Sequence, residues 1–107
     1  MSNKQGDKNL SDLVELDRLI HEPARLVVMT ILNVVESADF LYLLREAGLT
    51  KGNLSAHLAR LEEAEYIVIE KSFRGKKPHT NCRISAKGRR AYKSYVDQLK
   101  NALGETQ

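Results

Sequence analysis

The 107-residue sequence lacks several features that mark whole classes of protein. Its one cysteine, Cys82, excludes a disulfide within the chain. No stretch approaches the roughly 20 apolar residues that span a bilayer, because Thr30 and Asn33 interrupt the best candidate, residues 26–35. The N-terminus has no basic segment followed by a long apolar run and a small-residue cleavage site. We therefore expect a soluble, cytoplasmic protein without a membrane partner.

The sequence also lacks the residue patterns of enzymes and metal sites. His21, His57, His79 and Cys82 are scattered, and none of them has C-x-x-C or H-x-x-x-H spacing. No serine has a credible His and Asp partner, and no glycine-rich loop follows a strand and opens a helix. We expect no catalytic residue, metal or cofactor. Cys82 is interpreted as a small packing residue, since the alternative of a redox switch requires a lowered thiol pKa.

Acidic residues are absent from one long segment, residues 71–96, which contains nine of the 17 lysines and arginines. The rest of the chain contains the other eight basic residues and all 14 acidic ones, so it carries −6. The net charge of +3 is therefore the sum of a basic segment and an acidic remainder. Such a segment attracts phosphate backbones. A solvated basic surface without a partner is the alternative that the charge alone favours.

Length and composition indicate one domain. With 42% hydrophobic and 29% charged residues, 107 residues are enough for a single core. Residues 1–9 contain no apolar residue after the initiator methionine, so we predict a disordered polar tail followed by one domain over residues 10–104.

Helical periodicity and capping residues predict five helices. Pro23 suits the first position of a helix, Asp39, Thr50 and Ser85 suit N-caps, and Gly48 suits a left-handed C-terminal position. The first predicted helix is capped by Ser11 or Asp12 and ends near His21, and the others are residues 23–35, 40–47, 51–64 and 86–103.

A β-hairpin is predicted between the last two helices. Residues 66–73 alternate and are β-branched, and residues 81–85 form a second strand. The connector, residues 74–80, is too long for a two-residue turn, which predicts a basic, mobile tip. The fold class is therefore mainly α with a small β-hairpin, in the order of a winged helix-turn-helix with extra N-terminal and C-terminal helices.

Two segments carry a family resemblance. The run from Leu49 to Glu62 (LTKGNLSAHLARLE) and the later run from Ile84 to Tyr92 (ISAKGRRAY), with a basic loop between them, resemble small MarR/ArsR-type winged-helix transcriptional regulators over about residues 19–103. The resemblance implies that Leu54, Leu58 and Leu61 seat the recognition helix on the core. It also implies that the following residues face DNA: Lys51, Gly52, Asn53, Ser55, Ala56, His57 and Arg60.

The chemistry of these residue types agrees with that role. Asn and Arg can bond adenine and guanine edges in the major groove, and Lys51 can contact phosphate. Gly52 indicates either close backbone approach to DNA or a remnant of the preceding turn, and the two interpretations are equally supported. His57 lies at the edge of the apolar stripe, where a partly buried hydrogen-bonded role competes with a DNA contact.

Basic residues of the hairpin and the last helix are the other candidate DNA contacts. The wing tip is expected to reach the minor groove or backbone, and the start of the last helix to add phosphate contacts despite its unfavourable helix dipole. The wing residues are Arg74, Lys76, Lys77 and His79, and the phosphate contacts are Lys87, Arg89 and Arg90.

The terminal helices carry apolar residues suited to a two-fold interface. We predict a homodimer, because two recognition helices about 34 Å apart read a palindrome; each helix folding back over its own core is the alternative. The interface residues are Leu10, Leu13, Leu16, Ile20, Tyr92, Tyr95, Val96, Leu99 and Leu103. A pocket for a small-molecule effector, which the sequence does not identify, would be apolar with Tyr92 or Tyr95 as its polar tip.

The leading hypothesis is a sequence-specific transcriptional regulator of double-stranded DNA, a homodimeric repressor. The alternatives are a winged helix that binds a protein partner and a non-specific nucleic-acid binder. Loss of base discrimination on mutation of the recognition helix separates the first from both alternatives.

Overall fold

The described chain, residues 10–104, alternates helices with the strands of one small sheet in a computed structural model. The tail predicted for residues 1–9 lies outside the described residues. The antiparallel sheet has the strand order β1-β3-β2, and within residues 10–104 no helix is long and apolar enough to cross a membrane. The elements are α1 (Ser11–Val14), α2 (Pro23–Val34), β1 (Ala38–Asp39), α3 (Phe40–Ala47), α4 (Lys51–Glu63), β2 (Ile67–Arg74), β3 (Lys77–Ile84) and α5 (Ala86–Ala102).

The first helix is much shorter than its periodicity predicts. It was expected to end near His21 but ends at Val14, because Asp17 turns the chain by accepting from the backbone N–H groups of Leu19 and Ile20 at 2.9 and 3.2 Å. An Asp side chain that bonds nearby backbone donors competes with the helix. Ile20 is nevertheless buried, so this turn delivers apolar side chains to the core without a helix.

The next three helices confirm the predicted boundaries. Glu22 caps α2 ahead of Pro23, Asp39 caps α3 by accepting from Tyr42 N at 2.8 Å, and Thr50 caps α4 by accepting from Asn53 N at 3.2 Å. Gly48 ends α3 with a φ of +65°, which only glycine adopts readily. The α3–α4 pair is therefore a helix-turn-helix whose short turn is set by local residues.

The hairpin differs from the prediction. The second strand begins at Lys77, not Asn81, and Gly75 and Lys76 form a two-residue turn in place of the expected long connector. Gly75 has a φ of +65°, as the first central position of a type II′ turn requires. Pro78 lies within the strand although it has no backbone N–H. It pairs with Phe73 in a non-hydrogen-bonded position, next to the hydrogen-bonded Arg74–Lys77 pair, where no N–H is needed to bond β2.

A third strand was not predicted. Ala38 and Asp39 form β1, pairing with Cys82 and Asn81 of β3. Two residues are too few for an alternating pattern, and this pairing depends on where α2 delivers the chain. The strand ties the helix-turn-helix to the hairpin, because Asp39 is also the N-cap of α3.

The last helix begins where predicted and fits tightly against the start of the hairpin. Ser85 caps α5 by accepting from Gly88 N at 2.9 Å, and Ser85 N donates to Tyr66 O at 2.9 Å. A Cβ on Gly88 would lie 2.0 Å from that same carbonyl oxygen, so only glycine fits there. The fold is mainly helical with a small antiparallel sheet, the predicted winged helix-turn-helix.

Candidate nucleic-acid interface

Helix α4 has one buried face and one exposed face. Leu54, Leu58 and Leu61 are buried in the core, which confirms that they seat the helix. The opposite face is open to solvent and carries small or polar side chains that let another surface approach closely. Of the predicted recognition residues, those exposed are Lys51, Gly52, Asn53, Ser55, Ala56 and Arg60.

His57 is the exception, because its ring is turned toward the N-terminus of α2. Its side chain is 21% exposed, and Nδ1 lies 2.9 Å from a guanidinium nitrogen of Arg25, whose Nε also donates to Leu19 O at 2.6 Å. A guanidinium has only donors, so Nδ1 of His57 accepts this hydrogen bond. Glu22 Oε1 lies 3.9 Å from the same Nδ1. The structure thus shows the hydrogen-bonded role that was one of the two interpretations of His57.

The tip of the β2–β3 hairpin is exposed and strongly basic. Arg74 and Lys77 face one another across the turn, and Lys76 lies within it. Across residues 10–104, none of these three side chains forms a salt bridge. The nearby acidic residue Glu70 lies instead 3.9 Å from Arg83.

The recognition helix and the hairpin lie side by side. Lys71 and Thr80 line one cleft together with Ser55 and Ala59 of α4, with a volume of about 480 Å³. A second cleft of about 240 Å³ is lined by Lys51 of α4 and by Pro78 and His79 of β3. Three of the predicted contact residues, Lys51, Ser55 and His79, therefore line clefts in which α4 meets the hairpin.

The basic residues at the start of α5 lie elsewhere. Seven residue steps of β3 separate Lys77 from Ile84, which places the tip about 23 Å from the base of the hairpin. Lys87 lies 3.6 Å from Glu65, and Arg89 donates to the backbone oxygen of Asn33 at 3.0 Å. The basic segment is thus divided between the two ends of the hairpin.

The predicted interface residues divide in the same way. Leu16, Ile20 and Tyr95 are buried in the chain's own core and offer no surface to a partner, as the alternative of folding back expected. Leu10 and Leu103 are 65% and 61% exposed. Leu13 is also exposed, and the half-buried members are Tyr92, Val96 and Leu99.

An open groove of about 660 Å³ runs along α5 and is bordered on one side by Asn33 of α2. It is bordered by Tyr92, with Asn33 and Arg90 among the other lining residues. The Tyr92 hydroxyl lies 2.9 Å from Thr30 Oγ1, whereas the buried Tyr95 hydroxyl lies 2.7 Å from His21 Nδ1. Only Tyr92 of the two candidate tyrosines therefore borders this space.

Cys82 has the environment of a packing residue. Burial raises the pKa of its thiol to about 11, and the carboxylates of Glu62 and Asp39 add to the shift. A raised pKa disfavours the thiolate that redox chemistry requires.

Sequence reasoning missed three residues, of which one packs behind α4, one lies near the hairpin tip and one lies at the base of the hairpin. Arg25 gave no signal beyond its place in the first turn of α2, since its partner His57 is 32 positions away. Phe73 ended the predicted strand, and its alternation with Ile67 and Ile69 was the signal that it shares their face. Gly88 was visible only as part of the family-like run.

Comparison with known proteins decides the family. Residues 24–103 match the family model described as "Winged helix DNA-binding domain". The chain belongs to the winged helix DNA-binding domain family. An uncharacterized protein of Methanocaldococcus jannaschii is 32% identical over 82 residues, which cover 77% of this chain and 89% of that protein.

Solved structures show the same winged-helix arrangement. A transcriptional regulator homologue from Pyrococcus horikoshii OT3 is 26% identical, with a TM-score of 0.80 over 87% of this chain and 94% of that one. NadR in complex with 4-hydroxyphenylacetate, at 15% identity, shares the fold with a TM-score of 0.64 over 96% of this chain and 82% of that one. This winged helix domain therefore resembles transcriptional regulators, and the resemblance drawn from the sequence is confirmed.

Proposed function

We propose that this winged helix domain is a sequence-specific regulator of transcription that binds double-stranded DNA as a cytoplasmic homodimer and represses. The observation that carries the proposal is the exposed small and polar face of α4, which shares clefts with the strands of a hairpin whose tip is basic. Small and polar side chains let α4 enter the major groove, where Asn53 and Arg60 meet base edges. Lys76 and Lys77 at the tip neutralise phosphates.

The phosphate contacts predicted for Lys87, Arg89 and Arg90 stay a weaker part of the proposal. They lie at the far end of the hairpin, and two of the three are engaged within the chain. Arg90, which is exposed, is the member of this group best able to meet an external anion.

A second copy is proposed to cover the exposed and half-buried apolar residues of α1 and α5. Leu13 lies on α1 and Leu103 directly follows α5; both are exposed, and the two helices pack against each other. A two-fold axis there would present two recognition helices to successive major grooves about 34 Å apart. Leu13→Glu with Leu103→Glu is expected to yield monomers in sedimentation equilibrium, while Leu41→Glu, which alters an exposed leucine on α3, leaves the dimer intact.

Selection of bound duplexes from a random pool tests DNA binding, specificity and half-site spacing together. A palindromic consensus with half-sites about one helical turn apart is expected. Recovery of unrelated sequences with equal affinity would contradict specific recognition, and no binding at low salt would favour a protein partner. A reporter gene placed behind the selected site then tests repression.

Four variants assign the contacts on the selected duplex. Arg60→Ala and Asn53→Ala are each expected to cost about 1–3 kcal/mol and to relax discrimination at one base position. Lys76→Ala and Lys77→Ala should weaken binding on all sequences and reduce the salt slope by about 1. Lys100→Ala, which removes an exposed charge from the last turn of α5, is the matched control.

A further inference from the structure

An aromatic side chain near the tip of the hairpin is exposed to solvent. Phe73 is 71% exposed, whereas the chain's other phenylalanine, Phe40, is packed against the core. A phenyl ring left in water forgoes the stabilisation that burial of apolar surface provides. Phe73 contributes little to the packing of this chain, so its ring is available to a partner outside the chain.

Phe73 has an apolar neighbour directly across the hairpin. It pairs with Pro78 in a non-hydrogen-bonded position, where opposite side chains approach most closely. The ring of Pro78 fixes its φ, and the two-residue turn beyond holds the strands in register. Phe73 and Pro78 together form an apolar pair one residue step before the basic tip, and we call this pair the wing wedge.

The wing wedge lies on the hairpin face that looks toward the recognition helix. Side chains alternate along a strand, so Phe73 shares a face with Lys71 and Ile69, and Lys71 and Ile69 line the cleft against α4. Pro78 lines the neighbouring cleft with Lys51 at the first position of α4. A DNA strand that passes between α4 and the hairpin would therefore meet the wedge.

The charges around the wing wedge identify the chemistry of its partner. Phe73 is bracketed along the chain by Lys71 and Arg74, and Pro78 follows Lys76 and Lys77. No acidic residue occurs between Lys71 and Val96. An apolar pair flanked by cations suits a polyanion that has apolar groups between its charges. DNA fits this description, because its bases and sugars lie between two rows of phosphates.

The hairpin is long enough for the wedge to reach into a groove. Five residue steps separate Ile69, opposite the buried Cys82, from Arg74, so the tip projects about 17 Å beyond the core. The minor groove is about 7.5 Å deep. Phe and Pro are among the side chains that minor-groove proteins insert between base steps, and pyrimidine–purine steps yield most easily.

We propose that Phe73, backed by Pro78, inserts into the minor groove beside each recognised half-site, partly unstacks one base step and bends the DNA. The inference rests on the proposed DNA binding and adds a site of indirect sequence preference. It requires a flexible pyrimidine–purine step at a fixed distance from the bases that α4 reads.

The test uses the full chain and a duplex recovered from the selection, labelled at both ends for energy transfer and probed with permanganate for unstacked thymine. The wild-type chain is expected to bend the duplex and to expose one thymine per half-site. Phe73→Ala is expected to lose the bend and the permanganate signal, with about tenfold weaker binding. Phe73→Leu keeps an insertable side chain and should retain the bend.

Ser72→Ala, which alters the opposite face of the hairpin, is the matched control and should behave as the wild type. Replacing the flexible step by a stiff A-tract should weaken wild-type binding but leave Phe73→Ala unaffected. Unchanged bending and affinity in Phe73→Ala would overturn the wedge while leaving the proposed function standing. Failure of the wild type to bind any duplex would overturn both.

A vesicle assay completes the test, because an apolar tip framed by cations also suits an anionic membrane surface. Co-sedimentation with phosphatidylserine vesicles that Phe73→Ala abolishes, without any effect of that variant on DNA bending, would overturn the proposal in favour of a lipid partner. Absence of vesicle binding is expected.

Discussion

The guanidinium of Arg25 donates to Nδ1 of His57 at 2.9 Å and joins the first turn of α2 to the middle of the recognition helix. Arg25 is only 8% exposed, and its guanidinium donates to the ring of His57 and to the carbonyl of Leu19, while its backbone N–H donates to the carboxylate of Glu22. The position of α4 against the core therefore depends on a polar contact as well as on its leucines.

Replacement of His57 tests that contact. His57→Ala leaves a buried guanidinium without one acceptor and is expected to lower the free energy of unfolding by about 1–3 kcal/mol. His57→Gln restores an acceptor and should recover part of the loss. Urea denaturation measures both. An alanine variant as stable as the wild type, with weakened discrimination at one base pair, would instead assign His57 to DNA.

Addition of one methyl group at Gly88 should be severely destabilising. The new Cβ would lie 2.0 Å from Tyr66 O and 2.8 Å from Tyr66 C, and both are backbone atoms that cannot turn aside. Displacing them breaks the bond from Ser85 N that joins the hairpin to α5. We expect Gly88→Ala to cost about 3 kcal/mol or more. A thermal midpoint within a few degrees of wild type would show that the contact relaxes easily.

Gly52→Ala separates the two interpretations of a glycine in the first turn of α4. Nothing lies within 4 Å of a Cβ built there, so alanine is expected to stabilise the free protein by up to about 1 kcal/mol. If the backbone approaches DNA closely at this position, the same variant binds the selected duplex more weakly. Increased stability with unchanged DNA affinity would identify Gly52 as a remnant of the turn.

The Tyr66 hydroxyl donates to Asp17 Oδ2 at 2.5 Å. Because the phenol ionises in the alkaline range, this contact makes the stability of the fold depend on pH in that range. Burial raises the pKa of Tyr66 from 10.0 to about 12, with further contributions from the hydrogen bond and the charge of Asp17. A phenol whose pKa is higher in the folded state than in the unfolded state stabilises the fold at pH values below its unfolded pKa. This stabilisation is lost as the pH rises from 10 through 12.

Tyr66→Phe isolates this effect. It should cost about 1–2 kcal/mol at neutral pH, because Asp17 keeps its two backbone donors but loses the phenol. The stability difference between wild type and variant should then shrink above pH 10. Guanidinium denaturation across this range measures it. A pH-independent difference would show that the contact with Asp17 is not what stabilises the phenol.

Elements specified by neighbouring residues were predicted closely. Asp39, Thr50 and Ser85 each cap a helix by accepting from a backbone N–H three residues later, and Gly48 ends α3 one residue past its last turn. These signals act within a few positions, so they need no knowledge of the fold. The helix-turn-helix and the last helix follow from them.

Elements that depend on distant contacts were predicted poorly. The spacing of Leu13, Leu16 and Ile20 fits both a helix and a turn that points these side chains into the core. Asp17 favours the turn, because its carboxylate accepts hydrogen bonds from the backbone N–H of Leu19 and from the hydroxyl of Tyr66. The two-residue strand β1 has no pattern of its own and exists because Cys82 and Asn81 of β3 lie beside it. The partner of His57 could not be found from spacing.

The sequence by itself determined the helix caps, the amphipathic recognition helix, the strand alternation and the basic composition of residues 71–96. Only the tertiary structure decided how that basic segment is distributed. Two eight-residue antiparallel strands carry Arg74, Lys76 and Lys77 to one end of a hairpin and leave Lys87, Arg89 and Arg90 near the other. Charges contiguous in sequence are separated in space because an extended strand advances about 3.3 Å per residue. The cation of this segment that lines a cleft with α4 is Lys71, between the two ends of the hairpin.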